Sequence, residues 1–176
     1  ESGFDVTAEV TPHHLAFTEE ELLGMSTNMK MYPPLREPRD REALVSGVLD
    51  RTIDAIATDH APHSSSEKDV PFEDAPRGVI GLETAFAATL GALGGDLDLV
   101  FEAMSMAPAR IAGLGSQGRH IRQGATANLV LVDPTEQWTA GDYVSRSSNS
   151  PFTGLQMKGR VVATIVDGQI RHGVAK

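Results

Sequence analysis

The stretch DAIATDHAPH, residues 54–63, places one acidic side chain and two imidazoles directly after an apolar run. Residues 55–57 are apolar throughout, which is typical of a strand that is buried on both faces. The pattern predicts a strand over residues 54–58, followed by a long loop from residue 59 to about residue 78. Loops of this length are uncommon in compact domains unless they carry a function.

Asp59 is the strongest candidate for chemistry in this stretch. In α/β folds, catalytic groups project from the carboxyl ends of the strands, where we expect Asp59 to lie. A carboxylate there can bind a cation through oxygen, and it can move a proton to and from a metal-bound water. The alternative is that Asp59 caps the loop and that His60 and His63 face solvent. The position between a buried strand and a long loop favours the functional interpretation.

The rest of the chain alternates between strand-like and helix-like patterns. Further strands are predicted over residues 4–10, 28–32, 127–132 and 160–167, the last ending in a hairpin turn at Asp167-Gly168. Helices are predicted over residues 18–24, 40–49, 82–93, 96–104 and 108–114, and Thr18 with Glu21 matches a capping box. This order predicts an α/β fold, either part of an α/β barrel or an open parallel sheet, with a β-rich lobe from about residue 118.

Composition restricts the possible partners and cofactors. The formal net charge of −9 argues against nucleic acid and anionic membranes, and an anionic substrate would require local positive charge. The lack of cysteine excludes disulfides, Cys-ligated zinc and thiol nucleophiles, and it fits a cytoplasmic protein. No apolar run approaches the roughly 20 residues of a membrane span. Because the first residue is Glu1 and not methionine, we expect a truncated or cleaved chain.

The adjacent residues His13 and His14 suggest a metal site at first sight. Neighbours on an extended chain point to opposite faces, however, so these two side chains are not expected to bind the same ion. The better interpretation is that one histidine is packed in the core and that the other is hydrogen-bonded to the loop.

Two further segments allow both a functional and a structural interpretation. Tyr32 precedes a stiff Pro-Pro pair that can hold its side chain towards a pocket, and Arg36 can pair with a carboxylate. An ordinary strand exit with a surface arginine explains these residues equally well. The glycines of residues 76–84 precede a helix, and the N–H groups that they expose favour binding of an anion. The alternative is that this segment is structural and that Glu83 and Thr84 only cap and support the helix.

Taken together, these segments resemble dihydroorotases of the bacterial long-chain class, within the amidohydrolase superfamily. The matching runs are EVTPHHL at residues 9–15, PPLR at 33–36, ATDHAPH at 57–63, GVIGLET at 78–84 and GATANLVLVD at 124–133. The resemblance covers almost the whole chain, in order. It implies the C-terminal part of a (β/α)8 TIM-type metallo-hydrolase barrel over residues 1–117, with strands six to eight, and a small β-sandwich lobe over residues 118–176.

The same resemblance implies the reversible hydrolysis of dihydroorotate to N-carbamoyl-aspartate in pyrimidine synthesis, with one or two zinc ions that activate the attacking water. It assigns metal binding and proton transfer to Asp59, and substrate contacts to His63, Arg77 and Gly78. A further substrate position falls on Tyr32, where the family usually has Asn, so the paired donor and acceptor of an amide are lost there. The family's other metal ligands, and the arginine that binds the substrate carboxylate, would precede Glu1.

Two alternative functions stay open. One is a non-catalytic dihydroorotase-like subunit that assembles with aspartate transcarbamoylase or an active partner, which Tyr32 and the missing ligands favour. The other is a related cyclic amidase, such as an allantoinase or hydantoinase, although His63 and the TPHH run favour dihydroorotase. The partners we expect are the N-terminal half of the same protein, the small-molecule substrate and further copies of the chain, without nucleic acid or membrane.

Overall fold

The computed structural model describes Phe4 and residues 6–173. Residues 1–3 and 5 of the predicted barrel part, and residues 174–176 of the predicted small lobe, lie outside the described residues. The helices and strands are β1 (Glu9–Val10), α1 (Pro12–Ala16), α2 (Pro38–Leu49), β2 (Ala55–Ile56), α3 (Ser65–Lys68), α4 (Ala85–Ala92), α5 (Leu97–Phe101), α6 (Ala107–Ile111), β3 (Leu129–Thr139), β4 (Gln156–Val166) and β5 (Gln169–His172). β1 and β2 form a parallel pair, and β3, β4 and β5 form an antiparallel sheet in that order.

The predicted strand over residues 54–58 is confirmed as β2, whose two residues are buried. The predicted strand over residues 4–10 is much shorter in the structure. Its pairing starts at Ala8, whose carbonyl accepts the Asp54 N–H at 2.9 Å, and ends at Val10. Phe4 and Val6 are exposed, at 80% and 77%, because the alternating residues before Ala8 have no core to face in the described part of the chain.

The prediction of a strand over residues 28–32 is wrong. A 3₁₀ helix, Thr27–Met29, stands there, followed by irregular backbone up to a cis peptide bond between Tyr32 and Pro33. The carbonyl of Lys30 accepts the N–H of Gly78 at 2.9 Å, so this backbone bonds to a loop and not to a strand. The apolar pattern reflects core packing, since Met31 is buried.

The predicted helix over residues 18–24 is present as a 3₁₀ helix, Glu19–Gly24, but its predicted capping box does not form. The Thr18 side chain makes no capping hydrogen bond. A capping box forms instead at α3, inside the predicted loop, where Ser64 and Glu67 bond to each other's backbone N–H groups. The same four-residue pattern, a hydroxyl residue with glutamate three positions later, therefore caps a helix at one place and not at the other.

The predicted helices over residues 40–49 and 82–93 are confirmed as α2 and α4. The two predicted helices over residues 96–104 and 108–114 form one run in the structure, in which a π-helical turn, Glu102–Met106, joins α5 to α6. Pro108 lacks the N–H that a regular helix would use there, which is a common cause of such an interruption. Among the described residues, no helix has the length and apolar character that a membrane crossing requires.

The predicted strands over residues 127–132 and 160–167 are confirmed as β3 and β4, and Asp167-Gly168 turns β4 into β5. The sheet packs on α4, and Gly159 marks the closest approach. A Cβ atom at Gly159 would lie 2.6 Å from the Leu90 side chain. Phe152 and Met157 share a hydrophobic cluster with Val79, so residues on both sides of position 118 build one core. The boundary at residue 118 stays a prediction.

Candidate functional site

The loop after β2 folds back so that its two ends lie side by side. His60 pairs with Val79 in a parallel bridge, and the Ala61 N–H donates to the Val79 carbonyl at 2.9 Å. As a result, the Nε2 atom of His63 lies 3.0 Å from the carbonyl oxygen of Arg77. Because a carbonyl can only accept, Nε2 carries the proton in this hydrogen bond.

Gly78 makes this close approach possible. Its backbone has φ +120°, a conformation that side chains disfavour, and an added Cβ would lie 2.7 Å from the Ala61 Cβ and 3.1 Å from the His63 Nε2. The Gly78 N–H is held by the Lys30 carbonyl at 2.9 Å. Both the backbone conformation and the lack of space therefore require glycine here.

Tyr32 reaches the same place through its aromatic ring. The guanidinium carbon of Arg77 lies 5.0 Å from the centre of the Tyr32 ring, which is a cation–π contact. Both side chains are exposed. The structure thus brings together the four residues predicted to contact substrate, namely Tyr32, His63, Arg77 and Gly78.

Asp59 lies just past the end of β2, as predicted, with its side chain exposed and its backbone in the left-handed region at φ +47°. Within the described part of the chain, its carboxylate takes part in no hydrogen bond or ion pair. Residues other than glycine are uncommon in this conformation and, where they occur, concentrate at functional sites. The carboxylate is therefore available for a ligand at the edge where the strand ends.

The glycine-rich segment before α4 does not form the predicted anion site. The N–H groups of Gly81 and Leu82 both point at the Nδ1 atom of His60, at 3.2 and 3.4 Å. Because Nδ1 accepts these bonds, it carries no proton, and the N–H groups are already occupied. The next residue supports the fold instead: the Glu83 carboxylate accepts the N–H and hydroxyl of Ser145, at 2.8 and 2.6 Å. Burial opposes the charge of Glu83, but the hydrogen bonds from Ser145 outweigh it and lower its pKa.

The described residues do not form a metal centre by themselves. No three of their His, Asp or Glu side chains lie close enough together to hold a metal ion. Zinc takes about four protein or water ligands, of which Asp59 could supply one. The donor set of the described residues therefore does not fit a complete zinc site.

The predicted division of roles between His13 and His14 is confirmed. His13 is buried, while the Nε2 atom of His14 donates to the Pro33 carbonyl at 2.9 Å and its Nδ1 atom accepts the Thr11 hydroxyl at 2.7 Å. Burial, reinforced by the charge of His14, lowers the pKa of His13 to about 3. The premise of an extended chain was wrong, because both residues lie on α1. Arg36 makes the expected pair with a carboxylate, an ion pair with Asp40 at 3.5 Å.

Two lysines that the sequence did not single out fasten the long loop. The ammonium of Lys30 donates to the carbonyls of Phe72 and Glu73 at 2.6 and 2.7 Å. The ammonium of Lys68, which is buried, donates to the carbonyls of Thr27 and Pro76 at 3.0 and 2.8 Å. Burial, together with the nearby charge of Lys30, lowers the pKa of Lys68. Lysine is rarely buried, so no local pattern would have indicated this role.

Asn149 is a third residue that the sequence patterns did not indicate. It belongs to the connection between β3 and β4, residues 140–155, and its side chain bonds to the backbone around His63 and Gly78. No sequence pattern indicates this role, since the partners of Asn149 are distant along the chain: His63 is 86 positions away.

Comparison with known proteins relates this chain to the amidohydrolase family. A profile of the amidohydrolase family matches residues 6–171. The dihydroorotase of Caldanaerobacter subterraneus subsp. tengcongensis is 49% identical over 178 residues, which cover 98% of this chain and 41% of that protein. The dihydroorotase of Clostridioides difficile is 45% identical over 96% of this chain and 40% of its own length. The chain thus spans about two fifths of these curated relatives.

Solved structures agree on the fold. The L-hydantoinase (dihydropyrimidinase) of Arthrobacter aurescens superimposes with a TM-score of 0.88 at 28% identity, over 97% of this chain and 40% of that one. The dihydropyrimidinase of Brevibacillus agri gives a TM-score of 0.83 at 25% identity, over 97% and 40% of the two chains. The predicted fold class, part of a TIM-type metallo-hydrolase barrel with mixed α/β structure, is confirmed.

Proposed function

Because the chain belongs to the amidohydrolase family, we propose that it forms the C-terminal part of a dihydroorotase, a metal-dependent cyclic amide hydrolase. The reaction is the reversible hydrolysis of dihydroorotate to N-carbamoyl-aspartate in pyrimidine synthesis. The observation that carries the proposal is the cluster of Tyr32, His63, Arg77 and Gly78 beside the strand end that bears Asp59. Identities of 44–49% to proteins named dihydroorotase support it further.

We assign Asp59 two roles in the complete enzyme, as one metal ligand and as the group that moves a proton to and from the reacting water. Zinc, as one or two ions, would supply the activated water when bound, and its remaining ligands would come from residues outside this chain. The exposed, unbonded carboxylate of Asp59 at the strand end supports this assignment. A single carboxylate cannot hold zinc tightly, so the 176-residue chain alone is expected to be inactive.

His63, Arg77 and Gly78 form the substrate side of the proposed site. Dihydroorotate carries a carboxylate, and the chain has a net charge of −9, so the substrate requires local positive charge. The guanidinium of Arg77 supplies such a charge at the surface of the cluster. His63 donates its Nε2 proton to the Arg77 carbonyl in this structure, so a hydrogen bond from Nε2 to substrate would replace that contact.

The competing activity is that of a hydantoinase or another cyclic amidase. The superposition with the L-hydantoinase favours it as a second candidate. The higher identity to dihydroorotases, 49% against 28%, makes dihydroorotate the better-supported substrate. The third candidate, a non-catalytic subunit that assembles with aspartate transcarbamoylase, rests on Tyr32 and on the incomplete ligand set.

A substrate panel tests the proposal on the full-length product of the gene that encodes these residues. The purified, zinc-loaded protein is assayed with dihydroorotate, N-carbamoyl-aspartate, hydantoin, dihydrouracil and allantoin. Dihydroorotate and its open form are expected to turn over at least about a hundredfold more efficiently than the others, because a site built for a carboxylate discriminates strongly against ligands that lack one. Preference for hydantoin or dihydrouracil would assign a cyclic amidase, and no turnover of any compound would favour the non-catalytic subunit.

We also propose that the protein works in the cytoplasm as a homo-oligomer, with aspartate transcarbamoylase as the second assembly partner to be tested. The short parallel pair β1–β2 supports assembly with the N-terminal half of the same protein, since two strands alone rarely form a stable sheet. Light scattering of the full-length protein, with and without the transcarbamoylase from the same organism, distinguishes a monomer, a homo-oligomer and a mixed assembly.

A further inference from the structure

We propose that Asn149 is a positioning residue, which fixes His63 against the Arg77-Gly78 turn and thereby sets the affinity for substrate. The inference rests on the proposed function, because it assigns a consequence for substrate binding. Asn149 belongs to residues 140–155, the connection between β3 and β4, and only 4% of it is exposed. The sheet of the predicted small lobe therefore reaches the candidate site through this residue.

The side-chain amide of Asn149 uses all of its hydrogen-bonding capacity. Its nitrogen donates to the carbonyls of Ala61 and Gly78, at 3.0 and 3.2 Å. Its oxygen accepts the N–H of His63 at 3.2 Å and lies against the hydroxyl of Ser147, whose single hydrogen it shares with the His63 carbonyl. An amide has two donors and two acceptor positions, so no position is left for another partner.

This pattern fixes the orientation of the amide. If the oxygen and nitrogen exchanged places, the oxygen would face two carbonyls and the nitrogen would face the N–H of His63, which are repulsive arrangements. The Ser147 hydroxyl lies against both the Asn149 oxygen and the His63 carbonyl and has one hydrogen for the two acceptors, so it links these groups to each other. The Asn149 backbone adds a further tie, because its carbonyl accepts the N–H of Ile80 at 3.1 Å.

The groups that Asn149 joins belong to two separate parts of the proposed substrate site. His63 and Ala61 follow β2, whereas Gly78 ends the long loop. The distance that matters between these parts is the 3.0 Å from the His63 Nε2 to the Arg77 carbonyl, and a Cβ at Gly78 would already lie 3.1 Å from the same nitrogen. Such close contacts leave little tolerance, so a small shift of either part moves the His63 imidazole relative to Arg77.

Substitution by aspartate tests this role with little change in shape. Asn149→Asp keeps both acceptor positions but replaces two donors by an oxygen that faces the carbonyls of Ala61 and Gly78. The matched control is Asn128→Asp, because the Asn128 side chain uses its oxygen to accept the Asp167 N–H at 2.7 Å, far from His63 in sequence, and aspartate keeps that bond. Ser147→Ala is the milder second variant, which leaves both donors of Asn149 in place and removes the hydroxyl that orients them.

The measurements are KM and kcat for dihydroorotate in the full-length, zinc-loaded protein. Asn149→Asp is expected to raise KM about tenfold or more with a smaller change in kcat, Ser147→Ala to raise it by a smaller factor, and Asn128→Asp to leave both constants unchanged. If Asn149→Asp does not fold, Ser147→Ala decides the question. The role would be overturned if Asn128→Asp changed KM and kcat as much as Asn149→Asp does. It would also be overturned if KM were unchanged in both Asn149→Asp and Ser147→Ala.

A double-mutant cycle distinguishes positioning from general stabilisation. In a His63→Ala background, Asn149→Asp is expected to change KM by less than about threefold, because the residue through which it acts is gone. An effect of the same size in both backgrounds would overturn the proposal. If the unmodified protein does not hydrolyse dihydroorotate at all, the proposed function fails. In that case, the His63 imidazole resonances of ¹⁵N-histidine-labelled protein decide, since positioning predicts that Asn149→Asp shifts them and that Asn128→Asp does not.

Discussion

The Nε2 atom of His63 lies 3.0 Å from the carbonyl oxygen of Arg77, so the imidazole after β2 and the turn at the end of the long loop form one surface. The contact depends on Gly78, which has no side chain to separate the two. Residues from two ends of the same loop thereby meet beside Asp59, and the proposed substrate contacts follow from that meeting.

His63→Ala is expected to weaken substrate binding more than it slows the chemical step. The substitution removes the Nε2 donor while leaving the Asp59 carboxylate in place, so KM for dihydroorotate should rise by about tenfold or more, with a smaller change in kcat. Steady-state kinetics of the full-length protein measures both constants. His120→Ala, at an exposed histidine, is the matched control. Unchanged KM and kcat in His63→Ala would remove His63 from the site.

Gly78→Ala is expected to destabilise the protein and to raise KM. The added Cβ would meet Ala61 at 2.7 Å and His63 at 3.1 Å, so one of the two must move, at a cost of about 1–3 kcal/mol in the free energy of unfolding. Gly154→Ala is the control, since Gly154 also has a positive φ, +83°, but has open space around its Cβ position. Thermal unfolding of both variants separates the effect of the steric contact from that of backbone strain. Equal losses of stability in the two variants would show that the contact of position 78 with His63 and Ala61 is not tight.

Tyr32 is expected to act through its ring and not through its hydroxyl. A cation–π contact at an exposed site is worth about 0.5–1 kcal/mol, so Tyr32→Ala should release Arg77 and raise KM for dihydroorotate by about two- to fivefold. Tyr32→Phe keeps the ring and should bind substrate as the unmodified protein does. If both variants lose the same affinity, the hydroxyl and not the ring makes the contact.

His13 makes the stability of the fold depend on pH. Its pKa is lowered from 6.5 to about 3 in the folded chain by burial and by His14, whereas the unfolded chain keeps the ordinary value. Between these two values the unfolded state binds a proton that the folded state does not, so the free energy of unfolding falls as the pH falls from about 6.5 towards 3.

The contribution of His13 to this slope is up to about 1.4 kcal/mol per pH unit. Urea unfolding of the full-length protein at several pH values measures it, with His13→Gln expected to flatten the dependence. His120→Gln, at an exposed position, should leave the dependence unchanged. A steep dependence that persists in His13→Gln would assign the effect to other groups.

Local sequence patterns were sufficient for the elements whose bonds are also local. The apolar residues of β2 predict a buried strand, and the position of Asp59 follows from where that strand ends. The Asp167-Gly168 turn is equally local, because both strands of the hairpin adjoin it. The four residues expected to contact substrate came from the family resemblance, and their grouping in space agrees with that expectation, while their roles stay predictions.

Patterns failed where distant parts of the chain decide the structure. The apolar residues at 28–32 suggested a strand, but Lys30 bonds to Gly78 and Met31 packs in the core. Asn149 offered no pattern at all, since its function in the structure depends on backbone groups 86 positions away. The buried ammonium of Lys68 is hidden for the same reason, because the carbonyl of Thr27 that holds it is 41 positions distant.

The rate of dihydroorotate hydrolysis by full-length Asp59→Ala, compared with that of the unmodified protein under the same zinc loading, tests the central claim most directly. Removing the carboxylate removes both the proposed metal ligand and the proposed proton carrier, so kcat is expected to fall by at least about a thousandfold and bound zinc to decrease. Normal turnover with normal zinc content in Asp59→Ala would contradict the account.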